Sequence, residues 1–290
     1  MSVAAESLPP RRRRRRLPAF LARDRGGQIG AVLLVCLVGV ALLGPLVAPH
    51  GTATSLGIPG QPAAPGAPLG LDSVGRDVLS RLLAGGLSTL ALGSVTTVVT
   101  YLIGVFVGVT AGYTRSGLLD GALMRGVDVF LSVPALLVML LLVTGLGSGV
   151  SVLVAGAVIV LFPGVARIVR TATLEVSTRS YVEAAVARGE SALSVMRREI
   201  LPNIMAPLVA DVGVRFGWAI ILIASVNFLG LGLAPPAADW GLMISENRAI
   251  LASNPMAVAA PAIVLALLII SVNLLGDAYV RHLGRSGGRA

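Results

Sequence analysis

The chain has no lysine, and all 23 of its basic residues are arginine. A phosphate-binding P-loop needs its lysine on the nucleotide phosphates, so the chain is not a conventional ATP-hydrolysing subunit. There is one cysteine, Cys36, set inside an apolar run. That excludes a disulfide framework and leaves Cys36 as a small core or lipid-facing hydrophobe. No Ser-His-Asp set, HExxH or CxxC occurs, and His282 has no second ligand at helical spacing, so no catalytic or metal-binding residue is assigned. Charge is scarce as well: 13% of residues are charged against 55% hydrophobic, with a mean hydropathy of +0.88 over 290 residues. A soluble domain with that balance would expose too much apolar surface, so an all-α integral membrane protein is expected.

What is present is a series of apolar runs long enough to cross a hydrocarbon core about 30 Å thick. Residues 1–27, with Arg11 to Arg16 unbroken, read as a disordered, Arg-rich cytoplasmic tail. It is a charge block that keeps the N-terminus inside, and attraction to anionic membrane lipids is a second reading. Nucleic acid is not expected as a partner. Residues 28–48 form the first span. Residues 49–86 form an extracytoplasmic Gly/Pro-rich loop ending in an interfacial amphipathic helix, with Val78, Leu79, Leu82 and Leu83 on one face and Asp77 pairing with Arg81. Residues 87–280 hold five further spans, at about 87–112, 124–144, 150–166, 208–233 and 261–279, before a tail at 281–290. Gly104 and Gly108 in the second span permit close helix approach. Asp128 is expected to face Arg125 or a neighbouring helix. All the arginines except Arg76, Arg81 and Arg248 fall on the side of the two tails, which places both termini in the cytoplasm.

The polar stretch 180–203 interrupts this pattern on the cytoplasmic side. Ser180 and Glu183 have the spacing of a capping box, Ala184 and Ala185 favour helix with little bulk, and Gly189 can end that helix in a left-handed turn. Ser191 can cap a second helix, which is expected to stop before Pro202. Helix, glycine bend and helix give a small-residue surface suited to close approach by another protein.

Glu183, Ala184, Ala185, Gly189, Leu201 and Pro202 resemble the cytoplasmic "EAA" loop of ABC-importer permeases. The pattern's apolar position falls on Glu199, a departure, with Ile200 beside it. Pro68 to Asp72 with Gly75 to Arg81, the stretch 120–143, and Asn227 to Trp240 with Pro235 and Pro236 are similar to the dipeptide/oligopeptide/nickel class of that family. The resemblance implies a type I ABC importer permease fold with six transmembrane helices and a cytoplasmic coupling helix. It further implies a non-catalytic subunit forming half of a translocation pathway. The implied partners are a second, homologous permease, two ATPase subunits that bind ATP and Mg, and an extracytoplasmic solute-binding protein. No cofactor is implied in this chain. Ser180, Glu183, Ala184, Ala185, Gly189, Leu201 and Pro202 would be the ATPase-coupling residues.

A secondary, ion-coupled carrier is the alternative. Such carriers usually place ionisable groups near the bilayer midplane, whereas the central thirds of these spans lack Asp, Glu, Arg and His. A passive channel would need no polar two-helix loop.

Overall fold

Asp24 and Asp77 each open a long helix by accepting backbone N–H groups that have no partner in a first helical turn. The computed structural model describes residues 24–114, 116–233 and 236–287, with side chains to residue 282. The Arg11–Arg16 run, Arg115 and Pro235 lie outside the described residues. Helix α1 spans Arg25–Val47, with Asp24 accepting from the Gly27 N–H at 3.3 Å. Helix α2 spans Val78–Tyr113, with Asp77 accepting from Leu79 and Ser80. Its 36 residues make it about 54 Å long at 1.5 Å per residue. The expected interfacial helix and second span are therefore one helix, and the boundary expected at residue 86 falls inside it.

Helices α3 (Gly117–Ser132) and α4 (Ala135–Leu146) replace the single third span that was expected. Val133 is extended because Pro134 disfavours helical geometry before it, and the two axes bend by 85°. Helix α5 covers Val150–Ser177, α6 Ser180–Ala187 and α7 Ala192–Val195. Helix α8 covers Met205–Phe228, α9 Trp240–Asn247 and α10 Met256–Gly287. The last runs on to Gly287, into the segment expected as a separate tail. Among the described residues there is no β-strand, only isolated bridges such as Ser55–Arg76. Among the described residues, five helices are long and apolar enough to cross a membrane, counting 192–228 as one, and six if the bent α3–α4 pair is one span.

Packing follows the small residues. A Cβ at Gly104 would lie 2.7 Å from Val165, and one at Gly108 would lie 2.6 Å from the Ala166 carbonyl. The glycine stripe of α2 is thus the seam on which α5 sits. Leu37, Phe216, Ile220, Trp240, Met243 and Leu268 form a core joining α1, α8, α9 and α10. Met139 and Val143 of α4 pack with Leu153, Leu222 and Val226. Asp128 meets Arg167 of α5 at 2.6 Å, so the neighbouring helix supplies its partner.

At the α9 end, four charged groups converge, three of them buried and Glu246 partly exposed. Arg76 Nε donates to Asp72 at 2.6 Å, and Arg81 Nη1 donates to Asp72 at 2.7 Å and to Glu246 at 2.5 Å. Arg76 also reaches Glu246 at 3.1 Å, and Arg81 Nη2 donates to the Ala237 carbonyl at 3.0 Å. Asp72 and Arg81 are fully buried. The expected Asp77–Arg81 pair does not form: Asp77 is committed to the helix cap, to Ser80 Oγ at 2.6 Å and to His50 Nδ1 at 3.2 Å. Burial opposes ionisation of Asp72. The backbone N–H groups of Arg76 and Val74, with Arg81 and Arg76 beside it, outweigh that and hold its carboxyl below the usual range.

Candidate functional site

Helix α2 starts beside α9 and ends beside the 180–203 segment, where Thr110 and Tyr113 line one cavity with Val186, Glu190 and Met196. The segment is a helical elbow laid across that end of the bundle. Val182, Ala185, Val195, Ile200 and Ile204 are buried together with Val109 of α2 and Val165 and Val169 of α5. Tyr181, Glu183, Ala184, Ala187, Arg188, Leu193, Arg197 and Arg198 face outward. Within the Glu-Ala-Ala triplet the roles divide: Ala185 faces the bundle, and Glu183 and Ala184 are presented.

The expected capping box does not form. The residue at the N-cap is Arg179, in extended geometry, and Ser180 already lies in the first turn with no side-chain cap bond. A capping oxygen has to come from residue 179, but the Arg179 guanidinium has only donors. It pairs instead with Glu175 at 3.0 Å.

Gly189 ends α6 as its type suggests, with φ +82°. Its N–H reaches the Val186 carbonyl at 3.0 Å, and the Glu190 N–H reaches Ala185 at 3.2 Å, the crossed pair of a Schellman motif. No neighbour lies within 4 Å of a Cβ built there, so the position is open to whatever covers the elbow. Ser191 caps α7 through the Ser194 N–H at 3.3 Å. Glu190 binds Arg188 at 2.7 Å and Ser194 Oγ at 3.0 Å, and those bonds hold its carboxyl below the ordinary range.

The second helix does not stop before Pro202. Residues Met196–Ile200 form a π turn, with the Leu201 N–H on the Met196 carbonyl, and Leu201–Ile204 form a 3₁₀ turn leading into α8. Pro202 has no N–H to give to the preceding turn. Asn203 Nδ2 instead donates to the Glu199 carbonyl at 2.6 Å. The π turn adds one residue between buried positions, which become Val195, Ile200 and Ile204. This accounts for the departure at Glu199: Ile200 takes the apolar place and Glu199 rotates off the buried face.

Sequence reasoning missed Asp72, Arg76 and Glu246. The i, i+4 spacing of Asp72 and Arg76 was an available signal, whereas the arrival of Glu246 is purely tertiary. Asp239, in the stretch 227–240, caps α9 through Gly241 and Leu242 and accepts from Thr89 Oγ1 at 2.7 Å. Burial pushes its carboxyl up against these bonds.

Residues 104–286 match the family described as the binding-protein-dependent transport system inner membrane component. A glutathione transport system permease protein of Pectobacterium atrosepticum is 37% identical over 209 residues, 72% of this chain and 69% of that one. A di/tripeptide transport system permease protein of Pseudomonas aeruginosa is 33% identical over 265 residues, 88% and 86% of the two chains. Among solved structures, a methionine ABC transporter in an inward-facing conformation superposes with a TM-score of 0.59 at 23% identity, covering 70% of this chain and 95% of that one. That similarity speaks to the fold.

Proposed function

The chain belongs to the binding-protein-dependent transport system inner membrane component family, and from that premise we propose the partners, orientation and coupling surface with which it works. It is a permease subunit of an ABC importer, and it does no covalent chemistry of its own. The family gives the ion-coupled carrier no support.

The solute is a peptide or a peptide-like molecule, by kinship with permeases of glutathione and di/tripeptide systems. A second, homologous permease completes the pathway. Two ATPase subunits bind ATP and Mg, and a binding protein delivers the solute from outside. Both termini and the 180–203 elbow lie in the cytoplasm, and the α9 end with residues 49–77 lies outside, as the arginine distribution suggests.

The observation that carries this reading is the elbow. Val182, Ala185, Val195 and Ile200 anchor it to α2 and α5, while Glu183, Ala184 and the open side of Gly189 are presented to a partner. Leu201 and Pro202 pass its movement to α8 through the π and 3₁₀ turns. An ATPase that grips the elbow differently in its two nucleotide states biases the pathway between its two access states.

The test is uptake and ATPase pull-down in the reconstituted complex. Gly189→Ile costs about 1–2 kcal/mol in left-handed backbone and places a bulky side chain on the presented surface. It is expected to cut transport sharply while membrane insertion persists. Ser180→Ala, at a position without a cap bond, is expected to change neither. Wild-type transport by Gly189→Ile with a full complement of ATPase would show that the elbow is not the coupling element.

A further inference from the structure

Arg215 falls in the first third of the span expected at 208–233, yet its guanidinium reaches the middle of the neighbouring helix. Nη1 and Nη2 lie 2.6 and 2.9 Å from where a Cβ at Gly164 would stand. Gly164 is midway along the 28 residues of α5, about 20 Å from either end at 1.5 Å per residue. Arg215 Nε donates to Asp211 at 2.9 Å, and the same carboxylate oxygen accepts from the Tyr101 hydroxyl at 2.9 Å. Nη1 and Nη2 make no hydrogen bond among the described residues.

An ionisable side chain at such depth rarely meets lipid. It faces the bundle interior or a water-filled cavity, and it marks the path of a solute. The helix faces around Arg215 supply such a path. On α5, Gly164, Arg167, Thr171 and Glu175 share one face by their spacing, and the last three are exposed. On α8, Pro207, Asp211 and Arg215 succeed one another turn by turn. At the elbow end, Glu175 and Pro207 line one cavity of about 360 Å³ with Tyr181 and Asn203. Two to three turns deeper, the same two faces meet again where Arg215 lies on Gly164. Arg215 thus stands at the deep end of a seam that opens beside the elbow.

The chemistry of the site is set by which edge of the guanidinium is free. Asp211 takes Nε and leaves the end-on pair of nitrogens, the planar fork that matches both oxygens of a carboxylate. Arg167, on the same face of α5, is already paired with Asp128 at 2.6 Å. With Asp211 beside Arg215 the site has no net charge. A carboxylate is therefore held weakly enough to leave, as passage requires.

We propose that Arg215 receives the carboxylate of the solute on its way through this subunit, with Nη1 and Nη2 each donating to one oxygen. The solute class is one that ends in a carboxylate, as a peptide does. The proposal rests on the permease reading above and adds to it a side chain that touches the solute.

The experiment uses the intact complex in nanodiscs with the binding protein left out, so that only the complex selects. Trialanine and its C-terminal amide are titrated separately and followed by saturation-transfer NMR. Wild type is expected to bind the acid about tenfold more tightly than the amide, the scale of a hydrogen bond to a charged group. Arg215→Gln is expected to bring the two within about twofold. Gly164→Ala keeps the charge but displaces the fork with its Cβ, and is expected to do the same, so it carries the test if Arg215→Gln does not assemble. Equal binding of acid and amide by wild type, no binding of either, or a full preference retained in both variants would each refute the proposal. Loss of the second permease from both variants would make the fork a subunit contact and refute it as well. The permease reading is tested separately, by ATP-driven uptake of a di- and tripeptide library into proteoliposomes holding the complex and its binding protein. If no peptide enters, that reading fails. If peptides enter and wild type binds acid and amide alike, only this inference fails.

Discussion

Arg81 shows how much depends on a single side chain at the α9 end. Its guanidinium is fully buried, shares Asp72 with Arg76 and shares Glu246 with the same residue. Arg81→Met would leave one net negative charge among these groups, with Asp72 fully buried and Glu246 only partly exposed. Removing one partner of a buried charge cluster costs about 3–5 kcal/mol, so the thermal midpoint of the purified complex is expected to fall clearly. Arg81→Met with Glu246→Leu is expected to recover most of that loss, because Asp72 keeps Arg76 and no charge is stranded. If the double variant is as unstable as the single, the damage is steric and the electrostatic account is wrong. The pH dependence has a definite sign. Asp72 is held below its ordinary value when folded, so its contribution is present above the unfolded value of about 3.9 and is lost as pH falls through the folded value. Between neutral pH and about pH 5, Asp72 is expected to contribute no pH dependence to the midpoint.

At the scale of elements, the register of the elbow is the sharpest claim. Val195, Ile200 and Ile204 are buried at spacings of five and four because the π turn inserts one residue. Ile200→Ala is expected to cost about 2–5 kcal/mol, the range for emptying a core position. Glu199→Ala, on the rotated side, is expected to stay within about 0.5 kcal/mol. The reverse ranking in thermal unfolding of the two variants would mean that the turn is α-helical. The sequence could show that an apolar residue belonged near 199 but not which one, because the choice depends on how Pro202 and Asn203 redistribute the carbonyls of the turn before. The same limit explains α2. The sequence places a boundary between an interfacial helix and a span at residue 86, beside Gly85 and Gly86. In the structure they lie inside one helix, where a Cβ at Gly86 would stand 2.7 Å from Ala41 and from Trp240. These glycines serve close packing, and only the arrival of α1 and α9 reveals it. Pro134, by contrast, did mark a break, which the unbroken apolar run around it had concealed. Gly189 and Ser191 were readable from local chemistry alone, since a left-handed turn and an N-cap need no distant partner.

For the whole molecule, the apolar runs marked where the long helices lie, because length and hydropathy act along the chain, but not their ends: α2 begins at Val78 instead of near 87, and α5 runs on to Ser177. Which way the bundle faces is a matter of charge. Of the three arginines assigned outside, Arg76 and Arg81 are buried in ion pairs, and Arg248 sits 4.7 Å from the Phe228 ring centroid with a bond to the Phe228 carbonyl. Two of the three are thus neutralised within the fold. On the other side, Arg188, Arg197 and Arg198 stand exposed on the elbow. Arginines in short loops bias against translocation largely whatever carboxylates stand beside them, so the asymmetry of the count itself sets the expectation. The elbow end is therefore expected in the cytoplasm and residues 49–77 outside. Single cysteines introduced into a Cys36→Ser background, needed because Cys36 is itself exposed on α1, test this in intact cells. A membrane-impermeant maleimide is expected to label a cysteine at Ala63, which is exposed, and to leave one at Ala187, equally exposed on α6, unlabelled until the membrane is permeabilised. Labelling at Ala187 before permeabilisation would invert the molecule. It would put the elbow out of reach of any ATP-binding partner, and the coupling role would fall with the orientation.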